Sequence, residues 1–290
     1  MDIKIDFSLC TRCGRCDSVC VADIFRANVG GIPLLQEQNV KNCTHCGQCA
    51  AVCPAAAITL DGVAPETLQP VVDAPLSEIQ RDMLFSGRRS IRNYKTDAVP
   101  QELLARALEL ASNAPTAHHV RDVCWTIING REKLASLLSQ AADVLENSGK
   151  PQYAGLIHSV RAGQDPIFLG APCLILVHCD PWLWGEADCS IAASHMELAL
   201  HSLGLGTCWS GMLVNAARID RKAGVPLNKI GDGRSWRSTV IDAALHPSSL
   251  SSLNLSIPEG HRLYAALLTG YPAFEYARIP QRTPAEVTWL

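Results

Sequence analysis

The first 53 residues carry eight of the chain's thirteen cysteines, and they do so twice in the same rhythm. Cys10, Cys13, Cys16 and Cys20 stand at C-x2-C-x2-C-x3-C, and Cys43, Cys46, Cys49 and Cys53 repeat the spacing, with Pro54 after the second run. Dense cysteines staple small secreted folds, but this chain has 290 residues, no positively charged start leading into an apolar run, and its thiols crowded at one end. Ligation of metal explains that crowding better than disulfides do. With 48% hydrophobic residues, there is material for one large core with a small appendage. A net charge of −3 makes no electrostatic case for nucleic acid, and no stretch approaches the roughly 18 apolar residues of a membrane span. The expectation is a soluble, cytoplasmic protein that engages neither nucleic acid nor membrane.

The two runs resemble those of bacterial ferredoxins, where the fourth cysteine of each run ligates the other cluster. Three thiolates two residues apart on a tight turn can cap three irons of a cube, and the fourth iron must be reached from elsewhere. The resulting assignment is Cys10, Cys13, Cys16 and Cys53 for one [4Fe-4S] cluster, and Cys43, Cys46, Cys49 and Cys20 for a second. A structural zinc site, the other common use of C-x2-C, takes four ligands as two separated pairs and has no use for two runs of four. Gly14 and Gly47 follow the second cysteine of each run, where the backbone must wrap close to a cluster. Val21 stands where the first run would ordinarily carry proline, which bears on a cluster's potential more than on its presence. The resemblance covers residues 1–62, a module that carries electrons and performs no chemistry on a substrate.

Residues 63–78 are rich in proline and poor in aromatics and read as a linker; residues 79–290 have the composition of an α+β domain. "VPQELLARALELAS" places Pro100 at a helix start with Leu103, Leu104, Ala107, Leu108 and Ala111 along one face. "APCLILVHC" (Ala171 to Cys179) and "HRLYAALLTGYP" (His261 to Pro272) are near-continuous apolar runs, expected as strands covered on both faces by helices. Between them, Ala187 to Gly206 reads as a long helix of small residues stopped by glycine. Cys124, Cys173, Cys179, Cys189 and Cys208 sit in apolar runs, where free cysteine behaves as a small hydrophobe.

No G-x-G-x-x-G, G-x-S-x-G or H-E-x-x-H is present, so dinucleotide-fold and common hydrolase readings lack support. "GRRSIRNYK" offers Arg88, Arg89 and Arg92 around Ser90, a set of guanidinium forks and a hydroxyl suited to a phosphate and a polyol chain. Taken alone, such a cluster is more often a solvated face. Read in order with "APTAHHVRDVCWTII", "GLGTCWSGML" and "GYPAFEYARIPQRTPAEVTW", however, the domain resembles the FMN-dependent nitroreductase family over residues 80–290.

That resemblance implies a central sheet flanked by helices, with FMN at a homodimer interface. It puts the FMN phosphate and ribityl chain on Arg88, Arg89, Ser90 and Arg92, with further contacts from Pro115 and Thr116. His119 and Arg121 stand where the family carries asparagine and glutamine. Either this loop is retuned, with charge and a titrating imidazole near the ring, or it has moved away from the flavin. Trp209, Ser210 and Gly211 fall on the segment that passes the flavin face, with the Gly211 N–H toward N5, and Arg282 matches a late phosphate-binding arginine. Residues 214–253 form a longer stretch than is usual there, placed to shape a substrate pocket or to run over the surface.

The combined expectation is an iron–sulfur flavoenzyme. Low-potential electrons from reduced ferredoxin or a similar donor pass through two [4Fe-4S] clusters to FMN for two-electron reduction of a nitroaromatic, quinone or activated alkene. Two alternatives compete: other flavin chemistry on the same fold, such as reductive dehalogenation or dehydrogenation, and a non-enzymatic electron carrier.

Overall fold

The structure, a computed structural model, describes residues 2–220 and 253–290. Most of the expected insertion at 214–253 therefore lies outside the described residues. The chain divides into two compact units, Met1–Pro75 with Ala117–Val120, and Leu76–Thr116 with Arg121–Leu290. No helix among the described residues is long and apolar enough to cross a membrane.

The first unit is built on two small hairpin-like pairs. β1 (Ile3–Ile5) lies antiparallel to β4 (Ile58–Leu60), Ile3 opposite Leu60, and β2 (Phe25–Ala27) lies antiparallel to β3 (Pro33–Leu35). Each cysteine run crosses a single helical turn, α1 (Arg15–Ser18) or α2 (Gln48–Ala51). The residue before each turn is Gly14 or Gly47, at φ 72° and 74°, a left-handed conformation that glycine adopts without steric cost. The duplication seen in the spacing extends to the backbone. Arg12 and His45 share φ of 61° and 56°, Asp23 and Ala56 share 54° and 50°, and the Ile24 and Ala57 amides donate to Cys20 Sγ and Cys53 Sγ at 3.4 and 3.3 Å. The core is small: Cys16, Ile24, Phe25, Ala50 and Ile58 form its buried cluster, and Pro33, Ala57 and Leu60, in the strands or next to one, are buried as well.

The second unit contains a four-stranded antiparallel sheet in the order β5-β6-β8-β7, formed by β5 (Cys124–Asn129), β6 (Cys173–Cys179), β7 (Gly206–Trp209) and β8 (Arg262–Gly270). Every residue of β6 is buried, which is why its run is continuously apolar in an antiparallel sheet. Alternate residues face two cores. Cys173, Ile175 and Val177 of β6 with Ala265 and Leu267 of β8 pack under α4 (Gln101–Ala111) and α7 (Gly185–Ser202). Leu174 and Leu176 with Ala266 and Leu268 meet α5 (Arg131–Asn147), α6 (Ala154–Arg161) and α8 (Gly211–Asp220). Helices thus flank the sheet as the apolar strands require.

Local signals set the helix ends. Ser77 makes a capping box with Gln80 and starts α3 (Glu78–Ser86), so this helix begins within the stretch read as linker. Pro100 precedes the first residue of α4. α7 ends in a Schellman motif: Gly204 at φ 79° allows the Leu205 amide to reach the Leu200 carbonyl at 2.9 Å and its own amide to reach His201 at 3.0 Å. A register shift interrupts the β6–β8 pairing between Val177 and His178. His178 is buried there, and burial together with the neighbouring His261 pushes its imidazole down to about 4, so the ring is neutral.

Candidate functional site

In the first unit, one cavity is lined by Cys10, Cys13, Cys16 and Cys53 together with Ile5, Pro33 and Ile58. This is the crosswise set expected from the spacing, three thiols of the first run with the last of the second. The other four are also electrostatic neighbours. Burial pushes the Cys49 thiol up to about 11, and Cys46, Cys43 and Cys20 add to the shift; Cys43 is raised by burial and then by Cys46 and Cys20. Each thiol that ionises opposes the next, so a compact group of four favours protons or a cation over four free thiolates. Backbone N–H groups aim at the sulfurs as well. The Arg15 amide lowers the Cys13 thiol, and the His45 amide donates to Cys43 Sγ at 3.4 Å. Such N–H···S bonds stabilise negative sulfur, which suits thiolates shared with iron. The residues present fit two cubane clusters.

In the second unit, the segment after α3 runs beside the edge strand β7. Ser90 forms a parallel bridge with Thr207, and the Ile91 amide donates to the Thr207 carbonyl at 2.8 Å. Gly206 makes this approach possible, since a Cβ there would lie 2.5 Å from Ile91 Cγ1. Arg88 Nη1 lies 3.3 Å from Glu197 Oε1 on α7, and the same oxygen accepts from Thr207 Oγ1 at 3.1 Å. Arg88 is thereby held in one orientation. Glu197 was not singled out in the sequence, although it is the lone acid in the second half of a small-residue helix, and that was its signal. Arg92 and Arg88 both act on the buried Cys208 of β7, each lowering a thiol that burial raises. Among the described residues, neither Arg89 nor Arg92 has a carboxylate partner, so both guanidinium groups are available to an anion.

β7 turns directly into α8 through Trp209 and Ser210. The Ser210 amide donates to the Ala266 carbonyl at 2.7 Å, its hydroxyl to the Ile167 carbonyl at 3.3 Å, and its own carbonyl accepts the Val214 amide at 3.3 Å. Ser210 is therefore buried and fully engaged in holding the turn. Gly211 follows as the first residue of α8, where the N–H groups have no intrahelical acceptor and the helix dipole is positive. A Cβ at Gly211 would meet only Trp209 Cδ1, at 3.9 Å, so the space over this backbone is open. An exposed glycine opening a helix, with open space over its backbone and arginines on the segment beside β7, fits a flat, phosphate-bearing cofactor with hydrogen-bond acceptors on its ring.

The remaining expected residues fall in the loop before β5 and in the stretch after β8. Pro115 is exposed, and Thr116 Oγ1 accepts from the Arg121 amide at 3.1 Å, closing its own loop. His118, His119 and Arg121 all have φ between 52° and 57°, left-handed values that cost non-glycine residues of order 1–3 kcal/mol each. Arg282 is exposed in the stretch after β8. That stretch is anchored at its start, where the Lys95 amide donates to Tyr271 and the Ala273 amide to Asn93, both at 2.9 Å. Beyond it, Phe274, Tyr276, Ile279, Val287 and Trp289 are exposed, as are Ile79 and Phe85 on α3.

Comparison with known proteins agrees with both halves of the picture. Residues 85–233, just over half the chain, match the model of the Nitroreductase family, and residues 9–58 match the 4Fe-4S dicluster domain. A Methanothermobacter thermautotrophicus protein named as an NADH dehydrogenase/NAD(P)H nitroreductase is 30% identical over 155 residues, 51% of this chain and 70% of its own length. Among solved structures, a nitroreductase with bound FMN from Bacteroides fragilis superposes with a TM-score of 0.54 at 23% identity, covering 74% of this chain and all of that one. A second, also with bound FMN, from Desulfitobacterium hafniense, gives 0.51 at 21% identity over 71% and 96% of the two chains.

Proposed function

Because the chain belongs to the nitroreductase family, we propose that it is an FMN-dependent oxidoreductase in which two [4Fe-4S] clusters feed the flavin for two-electron reduction of a small organic acceptor. Nitroaromatics, quinones and activated alkenes are the acceptor classes. The carrying observation is that the eight cysteines form two crosswise groups of four within a chain whose larger part is of nitroreductase fold. When bound, the clusters supply one-electron relay and FMN supplies a two-electron store.

The chain's own residues have separable tasks. Arg89 and Arg92 offer forks to the phosphate, and Arg88, oriented by Glu197, places a fixed positive charge at the site. Ser90 adds a hydroxyl for the ribityl chain. The Gly211 amide and the positive end of α8 favour the electron-rich form of whatever ring lies over them. Trp209, 38% exposed, offers an aromatic wall beside that turn. The exposed apolar residues on α3 and after β8 support a homodimer, in which they would be covered by the second copy. The donor is reduced ferredoxin or an agent of similar potential, since the chain carries its own one-electron entry module.

The test is anaerobic purification followed by metal and flavin analysis, which should return about eight irons and one FMN per chain. The photoreduced protein is then offered each acceptor class, and NAD(P)H is compared with reduced ferredoxin as donor. Zinc in place of iron, no flavin, or acceptor reduction no faster than by free FMN would refute the reading.

A further inference from the structure

In the second unit, outside the Arg88–Gly211 region, Cys124, His178 and His261 converge at one end of the sheet, with Sγ and ring nitrogens all within 4.8 Å of one another. The topology explains the meeting. Cys124 opens β5 and is the register partner of His178 on β6, so both side chains leave the same face of the sheet. The irregularity between Val177 and His178 shifts the β6–β8 register, and His261, the residue just before β8, comes to face the His178 ring. The two Nδ1 atoms are 2.8 Å apart, with ring centroids at 5.0 Å and planes tilted by 59°. The far nitrogens also have neighbours: Thr126 Oγ1 lies 3.0 Å from His178 Nε2, and Asp180 Oδ1 lies 3.7 Å from His261 Nε2.

We propose that Cys124, His178 and His261 bind a Zn2+ ion through Sγ and the two Nδ1 atoms, with water as the fourth ligand. One sulfur and two imidazoles form a ligand set for zinc-like borderline ions, whereas magnesium and calcium take oxygen. Without metal, two Nδ1 atoms at 2.8 Å share one proton, one ring donating and the other accepting. Zinc binding displaces that proton from Nδ1 to the Nε2 of the ring that held it, and Cys124 releases its thiol proton to solvent. Each imidazole then carries its N–H on Nε2, where Thr126 Oγ1 stands within hydrogen-bond distance of His178 and the Asp180 carboxylate lies 3.7 Å from His261, a neighbourhood that favours this tautomer. Tetrahedral zinc places these ligand atoms roughly 3.3–3.5 Å apart, from Zn–N of about 2.0 Å and Zn–S of about 2.3 Å. Reaching this needs the rings to part slightly and the sulfur to close in. Cys124 and His261 are only partly buried and sit at strand ends, where such adjustments are small side-chain rotations. The ion would tie β5, β6 and the entry to β8 together at the point where the ladder is interrupted.

The experiment uses the iron- and flavin-loaded full chain, incubated anaerobically with one equivalent of Zn2+ and desalted, alongside Cys124→Ser and His261→Gln. Both substitutions are at partly exposed positions and spare the buried His178. Support consists of about one zinc per chain, a Zn-edge X-ray absorption spectrum with one sulfur near 2.3 Å and nitrogen or oxygen near 2.0 Å, and loss of that zinc in each variant at unchanged iron content. Absence of bound zinc, its retention in either variant, or a shell of four sulfurs, which would place the ion in the cysteine runs, overturns the proposal.

Discussion

Gly206→Ala is a small perturbation that tests how the arginine segment is held. An added Cβ would stand 2.5 Å from Ile91 Cγ1, 2.9 Å from Ile91 Cβ and 3.0 Å from Pro272 Cγ. None of these is the far end of a flexible chain, so either β7 or the backbone near Ile91 must shift. Overpacking of this kind costs about 1–3 kcal/mol, offset in part by the roughly 0.5–1 kcal/mol that alanine gains over glycine in an ordinary backbone conformation. The net expectation is about 1–2 kcal/mol of destabilisation, a fall in melting temperature of about 3–7 °C for a unit of this size. Flavin release, followed by FMN fluorescence during anaerobic heating, reports this unit and not the cluster module. Ser90 and Arg92 flank Ile91, so FMN affinity should fall by about tenfold for each 1.4 kcal/mol of misplacement. Ile91→Ala removes Cγ1, the atom nearest to the new Cβ. Alone it costs about 2–5 kcal/mol as a buried truncation, but combined with Gly206→Ala the two should couple favourably by about 1 kcal/mol. Effects additive to within about 0.3–0.5 kcal/mol, with flavin content unchanged in Gly206→Ala, would refute the claim that Gly206 sets the position of this segment.

Three further outcomes are expected. Cys20→Ser should halve the iron, from about eight to about four per chain, and remove the cluster of the second run: adding Cys46→Ser should cost no more iron, whereas adding Cys13→Ser should remove the rest. Stripping iron with a chelator should melt the first unit, whose buried core is small, while the second keeps its ellipticity and its flavin; a single cooperative loss of both would contradict this. Glu197→Gln keeps the shape but frees the Arg88 guanidinium, and should weaken FMN binding a few-fold with less than about 1 kcal/mol lost in stability, measured by flavin titration against thermal melting.

Much of this protein was legible without coordinates because its chemistry is written locally. In each run three cysteines two residues apart supply most of a cluster's ligand set locally, and the glycines at 14 and 47 announce the left-handed backbone that wraps it. The buried strands β6 and β8 declare themselves by uninterrupted apolar runs, α4 by its 3.6-residue period and α7 by its glycine stop, since each is a property of neighbouring residues. Only the fold shows that the Ser210 amide and hydroxyl are engaged by Ala266 and Ile167, acceptors 43 or more residues away, while a Cβ at Gly211 would meet open space. The apolar run around Cys124 reads as a small hydrophobe's setting, and nothing near it in the chain announces that His178 of β6 and His261, just before β8, stand close to it.

The sequence by itself determined which thiols form local triads, where apolar strands and helices run, and which arginines are at hand, because spacing and periodicity act over a few residues. Tertiary structure alone decided that Glu197 and Thr207 orient Arg88, that Gly206 yields its side-chain volume to Ile91, and that a register shift brings two imidazole nitrogens within 2.8 Å across 83 residues of chain. Those arrangements depend on strand order and on how two backbones approach, and the pattern within a single segment carries no record of either.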